Sequence, residues 1–167
     1  MRTFLLSILL LLNINVSAQR VSLSQLISIQ DESVVNAEDI LYGMGFHFSP
    51  SSKVGEYESY SYIKNSKNDI SYMGISKNVF EDNNVSTTFF TLYRTDYNFI
   101  KQELNTLGFE YLKTEKEDST TIHYYKKGNT NVDLSYTYDE QADLFDYFIG
   151  ITSESGFRYY MNRKKNF

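Results

Sequence analysis

Few residues in this chain are of types that do chemistry. There are two histidines and no cysteine. A zinc site draws several His and Cys ligands from short spacings. His47 follows a Gly-Phe step and His123 lies in the middle of a strand-like run, so the two read as ordinary side chains. The densest carboxylate group is Asp139, Glu140, Asp143 and Asp146. Hard cations favour such oxygens, and calcium is the ion this run would suit. The spacing is not that of an EF-hand loop, however, and no glycine stands where that loop turns. The cluster therefore reads as a solvated turn, as does Glu81-Asp82. No serine sits in a Gly-x-Ser-x-Gly elbow, and the glycines form no phosphate-cradling loop. Paired catalytic carboxylates leave no local signature, which keeps a hydrolase with dispersed carboxylates as an alternative. No catalytic residue, metal ligand or cofactor is assigned.

The basic residues gather at the end of the chain. Arg158, Arg163, Lys164 and Lys165 interleave with Phe157, Tyr159, Tyr160 and Met161. Such a tail suits contact with anionic lipid, but four charges barely reach what polybasic binding needs, and a frayed basic end is the favoured reading. Tyrosine is abundant, with 15 in the chain and no tryptophan. Strand propensity alone enriches tyrosine. A binding face lined with aromatic rings is the sharper reading.

The elements that must position these residues begin with a leader. Arg2, the apolar run Phe4 to Leu12 and the closing Val16-Ser17-Ala18 reproduce the charged, apolar and cleavage regions of a secretory signal. The run is too short to cross a bilayer, which takes ~20 apolar residues. Cleavage after Ala18 makes Gln19 the first mature residue. Without any cysteine there is no lipoprotein anchor. The leader holds one of the 16 basic residues and none of the 21 acidic ones, so the remainder carries a formal charge of −6. That balance disfavours nucleic acid as a partner. Residues 19–167 are expected to form a single domain, of a size that needs no disulfide. Cysteine-free exported domains of this size fit a bacterial envelope or secreted protein better than an animal one.

A weak internal repeat organises that domain. Displaced by 63 residues, Val34, Ala37, Leu41 and Met44 fall on Tyr97, Ile100, Leu104 and Leu107, and Gly45-Phe46 falls on Gly108-Phe109. The apolar spacing is one stripe of an amphipathic helix. Ser33 and Asp96 are suitable N-caps, and each glycine supplies the left-handed residue that ends a helix. Strand-like runs follow: Tyr57–Lys64, Asp69–Ser76 and Thr87–Arg94 after the first helix, Thr120–Lys126, Val132–Tyr138 and Asp146–Thr152 after the second. Turn signals at 65–68, 81–84, 127–129 and 139–143 separate them. Val132 to Tyr138 alternates cleanly and predicts a half-buried strand. Phe145 to Ile151 is apolar on both faces and predicts a central one. Ahead of the repeat, Ser22-Leu23-Ser24-Gln25 fits a capping box and favours a short helix over Leu23–Ile29. The expected fold is α+β: a duplicated helix-plus-three-strand unit, halves about 22–94 and 95–155, helices on one face of a mainly antiparallel sheet, and a basic tail over 156–167. A small outer-membrane barrel is excluded, because its strands need ~10 alternating residues and the helix over 96–108 has no place in it.

The leader followed by Ser22-Leu23-Ser24-Gln25-Leu26-Ile27 and a helix ending in Gly45-Phe46 resembles small exported proteins of Bacteroidota, over about the first 50 residues. That resemblance implies a compartment, periplasmic or secreted, and no activity. The tandem unit is similar in outline to beta-lactamase-inhibitor-like domains, a likeness of fold only. The functional expectation is an exported, non-catalytic binding domain whose partner is a protein or glycan of the cell envelope. A protein inhibitor or partner-binding module is the alternative beside the hydrolase. Tyr60 and Tyr62 share one face of a strand. The expectation is that this face is free of helices and that the two rings form part of a ligand-binding patch.

Overall fold

The computed structural model describes residues 20–54, 57–65, 72–80 and 83–158. The leader, much of the loop at 65–71 and the tail beyond residue 158 lie outside them. Two helices open the described chain, α1 (Leu23–Asp31) and α2 (Val34–Gly43). A first meander follows: β1 (His47–Val54), β2 (Tyr57–Asn65), β3 (Tyr72–Phe80) and β4 (Val85–Thr91). Then come α3 (Arg94–Thr106) and a second meander of β5 (Glu110–Glu117), β6 (Thr120–Lys127), β7 (Thr130–Asp139) and β8 (Leu144–Ser153). Residues 154–158 are helical. The fold is α+β, with one eight-stranded sheet in the order β1-β2-β3-β4-β8-β7-β6-β5. Every neighbouring pair in it is antiparallel. The meanders join where β4 pairs with β8, from Ser86↔Thr152 to Thr91↔Tyr147. The expectation that Phe145–Ile151 runs through the sheet interior is met, because β8 lies between β4 and β7.

Each half carries four strands, not three. The additional ones, β1 and β5, are the two outer strands of the sheet. Both depart from ordinary strand composition for reasons their position explains. β1 contains Pro50, which has no N–H to give, and its register with β2 shifts between Ser49 and Ser52; edge strands and bulges are where a sheet tolerates proline. β5 reads Glu-Tyr-Leu-Lys-Thr-Glu-Lys-Glu and is exposed almost throughout. Charged side chains on an edge discourage pairing with another chain.

The helix ends follow from local chemistry. Ser22 and Gln25 form the expected capping box at the start of α1, so Leu23–Ile29 is helical. Ser33 caps α2 through the Asn36 amide. Asp96 is not a cap. α3 starts earlier, with Tyr93 at the cap position and no side-chain bond there. Asp96 is turned into the protein, where it accepts from Thr91 Oγ1 at 3.3 Å and pairs with Arg20 at 3.8 Å. Both α2 and α3 end as expected. Gly45 has φ 82° and Gly108 φ 75°. Phe46 N–H donates to Leu41 O, and Phe109 N–H to Leu104 O, the outer bond of a Schellman motif.

The helices α1, α2 and α3 lie on one face of the sheet, and the short helical segment 154–158 sets Phe157 against Tyr124 on the other. Leu23, Leu26 and Ile29 of α1, Ala37 and Leu41 of α2, and Ile100 and Leu104 of α3 are buried against Tyr62, Ile75, Phe89, Leu134 and Ile149. α1 packs on β4 and β8, over the seam between the meanders. A sheet lysine closes each helix C-terminus: Lys77 Nζ donates to Ile29 O and Gln30 O, Lys64 Nζ to Met44 O, and Lys127 Nζ to Leu107 O. A cation there meets unpaired carbonyls and the negative end of the helix dipole.

Candidate functional site

Tyr60 and Tyr62 do share a face of β2, but it is the face under the helices. Tyr62 is 1% exposed. Its hydroxyl donates to Glu38 Oε2 of α2 at 3.2 Å, and the rings of Tyr42 and Phe48 pack edge-on against it. Burial pushes its pKa up to about 12, with the Glu38 carboxylate adding to the effect. Tyr60 is partly buried against the same core. Their expected place on a helix-free face is thereby corrected. Alternation along β2 fixes which residues travel together. The set that holds Tyr60 and Tyr62 is the one covered by α2, through Glu38 and Tyr42. The open side of β2 carries Tyr57, Ser59, Ser61 and Ile63.

The register assembles the open face row by row. One row runs Ser49, Ser61, Ser76 and Thr88 across the first meander, then Gly150, Asp133, Tyr124 and Lys113 across the second. The adjacent row holds Ile63, Gly74, Phe90, Phe148, Ser135 and Ile122. Among the described residues, aromatic pairs on this face include Tyr57–Phe80 with centroids at 5.2 Å, Phe90–Phe148 at 5.2 Å and Tyr124–Phe157 at 5.8 Å. Hydroxyl and amide groups fill the ground between them, including Ser61 against Ser76 and Asn78 against Ser86.

The two halves of the open face differ in charge. Those residues of the first meander are uncharged. On the second, Glu154 pairs with Lys126 and Arg158 and accepts from Asn131. Those hydrogen bonds hold its carboxyl down to about 2. Lys113 pairs with Glu115 and lies over the Tyr124 ring, whose hydroxyl donates to Glu115. Asp133 leans across Gly150, where a Cβ would come within 2.3 Å of its carboxylate. Glycine at this point leaves room for an acid near the middle of the face.

A second aromatic surface lies at the far end of the β7–β8 hairpin, on the helix side but beyond the helices. The rings of Tyr97, Tyr147, Tyr136, Phe145 and Tyr138 form a continuous ladder out of the core. Its outer members, Phe145 and Tyr138, are 43% and 37% exposed. The acidic cluster lies here and builds the turn. Asp139 Oδ1 accepts from the amides of Gln141 and Ala142, and Asp143 Oδ1 accepts from Tyr138 Oη at 2.7 Å.

The histidines are not brought together. His47 is on β1 and His123 on β6, with five strands between them, and His123 Nδ1 is engaged with Thr114 Oγ1 at 2.6 Å. Burial lowers the His123 pKa, with Lys101 acting in the same direction. Among the described residues no group of three or more His, Cys, Asp or Glu could hold a metal ion, and no helix is long and apolar enough to cross a membrane. No protein-family model matches the chain, and neither does any curated protein or solved structure.

Proposed function

We propose that this chain is an exported, non-catalytic binding domain whose working surface is the helix-free face of the sheet. One observation carries the reading. The helices α1, α2 and α3 all cover one side of the eight-stranded sheet, and its other side, where residues 154–158 lay Phe157 against Tyr124, bears aromatic pairs set among hydroxyl groups. Aromatic side chains gathered on the sheet face away from the main helices suit an interaction site. Rings flanked by hydroxyl and amide groups suit an envelope protein or a glycan, each of which offers both apolar and polar contacts. The secretory leader read from the sequence supports a ligand outside the cytoplasm. The mature domain, begun at Gln19, is expected to capture its ligand from envelope extract. The double variant Phe90→Ser, Phe148→Ser is expected to lose it while keeping the circular dichroism of the folded domain. Undiminished capture by a folded variant would remove the open face from the reading.

We also propose that the domain arose by duplication of a helix-plus-sheet unit. Three pairs of features spaced 63 residues apart support it: the Gly-Phe helix ends, the lysines Lys64 and Lys127 on the carbonyls of Met44 and Leu107, and the edge-on rings Phe48–Tyr62 and Tyr111–Tyr125. β1 and β5 span the same interval in each half.

A further inference from the structure

The outer end of the β7–β8 hairpin combines an uncovered aromatic surface with a single sign of charge. Phe145 and Tyr138 stack at 5.0 Å and are held from below by Tyr136 and Tyr147. The ladder continues to Tyr97 of α3, which is buried against the sheet, so the exposed rings stand on a rigid base. The hydroxyl of Tyr138 is fixed by Asp143. Asp139, Glu140 and Asp143 lie in the turn that follows Tyr138, Asp143 in direct contact with its hydroxyl, and no lysine or arginine occurs between Lys127 and Arg158. The hairpin thus offers aromatic faces, which attract cations through their quadrupole, beside a turn of carboxylates that attracts cations by charge.

We propose that this hairpin end docks an extended basic segment of a protein partner, its lysine or arginine side chains lying across Phe145 and Tyr138 and its charge meeting Asp139, Glu140 and Asp143. Arginine suits the surface better than lysine. Its planar guanidinium stacks on a ring and bonds a carboxylate at the same time, whereas an ammonium is a compact, strongly hydrated charge. The surface is separate from the helix-free face, since the ladder stands on the helix side of the sheet. The proposal therefore does not depend on the open face being a binding surface.

The test uses the mature chain and three labelled probes of equal length: oligo-arginine, oligo-lysine and oligo-glutamate. Oligo-arginine is expected to bind most tightly, oligo-lysine more weakly and oligo-glutamate not at all, with binding weakened by added salt. Phe145→Ser is expected to weaken oligo-arginine binding about tenfold, the scale of a lost cation–π contact with part of its desolvated surroundings. Glu140→Gln with Asp143→Asn provides a second readout from exposed positions and is expected to reduce affinity and flatten the salt dependence. Phe90→Ser on the open face is expected to change nothing. Equal binding of the acidic and basic probes, no binding of oligo-arginine, or full binding by a folded Phe145→Ser variant would each overturn the proposal.

Discussion

Lys77 shows how one residue links the sheet to the helices above it. It is 2% exposed, and its ammonium donates to the carbonyls that end α1. Burial lowers its pKa to about 8, against the opposing pull of Asp31 and Glu32. Between pH 8 and the ordinary lysine range the unfolded chain holds a proton that the native protein has released. Stability therefore rises with pH across that window. Tyr62 acts in the opposite sense. Its hydroxyl is raised to about 12, so above the ordinary tyrosine pKa the unfolded chain ionises first and stability falls. Denaturant melts at successive pH values are expected to show a gain of about 2 kcal/mol from pH 8 toward pH 10, followed by a loss. Lys77→Met is expected to abolish the rise and leave the fall. A wild-type curve flat across pH 8 to 10 would show that the native lysine keeps its ordinary pKa.

At the scale of elements, the two Gly-Phe helix ends are the most informative feature. Gly45 and Gly108 both have positive φ, where a side chain costs about 1 kcal/mol. A Cβ at Gly108 would meet nothing within 4 Å, and one at Gly45 only the end of the Lys64 side chain. The cost of Gly45→Ala and Gly108→Ala is therefore conformational and is expected to be equal, about 1 kcal/mol each in thermal or urea melts. A markedly larger loss at one position would show that the two ends are not equivalent. Both ends were legible because a Schellman motif is built from residues adjacent in sequence. The start of α3 was not. Asp96 has the chemistry of a cap, but Thr91 and Arg20 draw its carboxylate inward, and burial raises its pKa. A contact with Arg20, far away in sequence, leaves no trace in the window around Asp96. β1 and β5 escaped for a related reason. An outer strand takes half of its ladder from one neighbour, so it can hold proline or a run of charges that would exclude an interior strand.

At the scale of the molecule, the seam between the meanders decides whether the halves are independent. β4 and β8 are paired through the middle of the sheet, and α1 lies over that junction with Leu23, Leu26 and Ile29 fully buried. The halves share both a ladder and a core, so unfolding is expected to be one cooperative transition. Leu26→Ala is expected to cost about 2–5 kcal/mol and to lower hydrogen-exchange protection in both meanders together. Two resolved transitions, or loss of protection in one meander alone, would mark the halves as separately folding units.

The sequence by itself determined what depends on neighbouring residues and on periodicity: the α+β class, the capped α1, the glycine-closed helix ends, the interior character of Phe145–Ile151, and the turn built by Asp139 and Asp143. Only the tertiary structure decided which side of each strand is covered. Alternation makes Tyr60 and Tyr62 partners and sets Tyr57, Ser59 and Ile63 against them, but it is symmetric between the two faces. The helices break that symmetry by settling on one of them. That choice turns the two tyrosines first in view as a binding patch toward the helices, Tyr62 buried and Tyr60 partly so, and leaves Phe90–Phe148, Tyr57–Phe80 and Tyr124–Phe157 on the other side. Tyr57 and Phe80 stand on adjacent strands, but Phe90 and Phe148 come from opposite halves of the chain and meet only across the seam. No local window contains both rings, because their contact is a property of strand order.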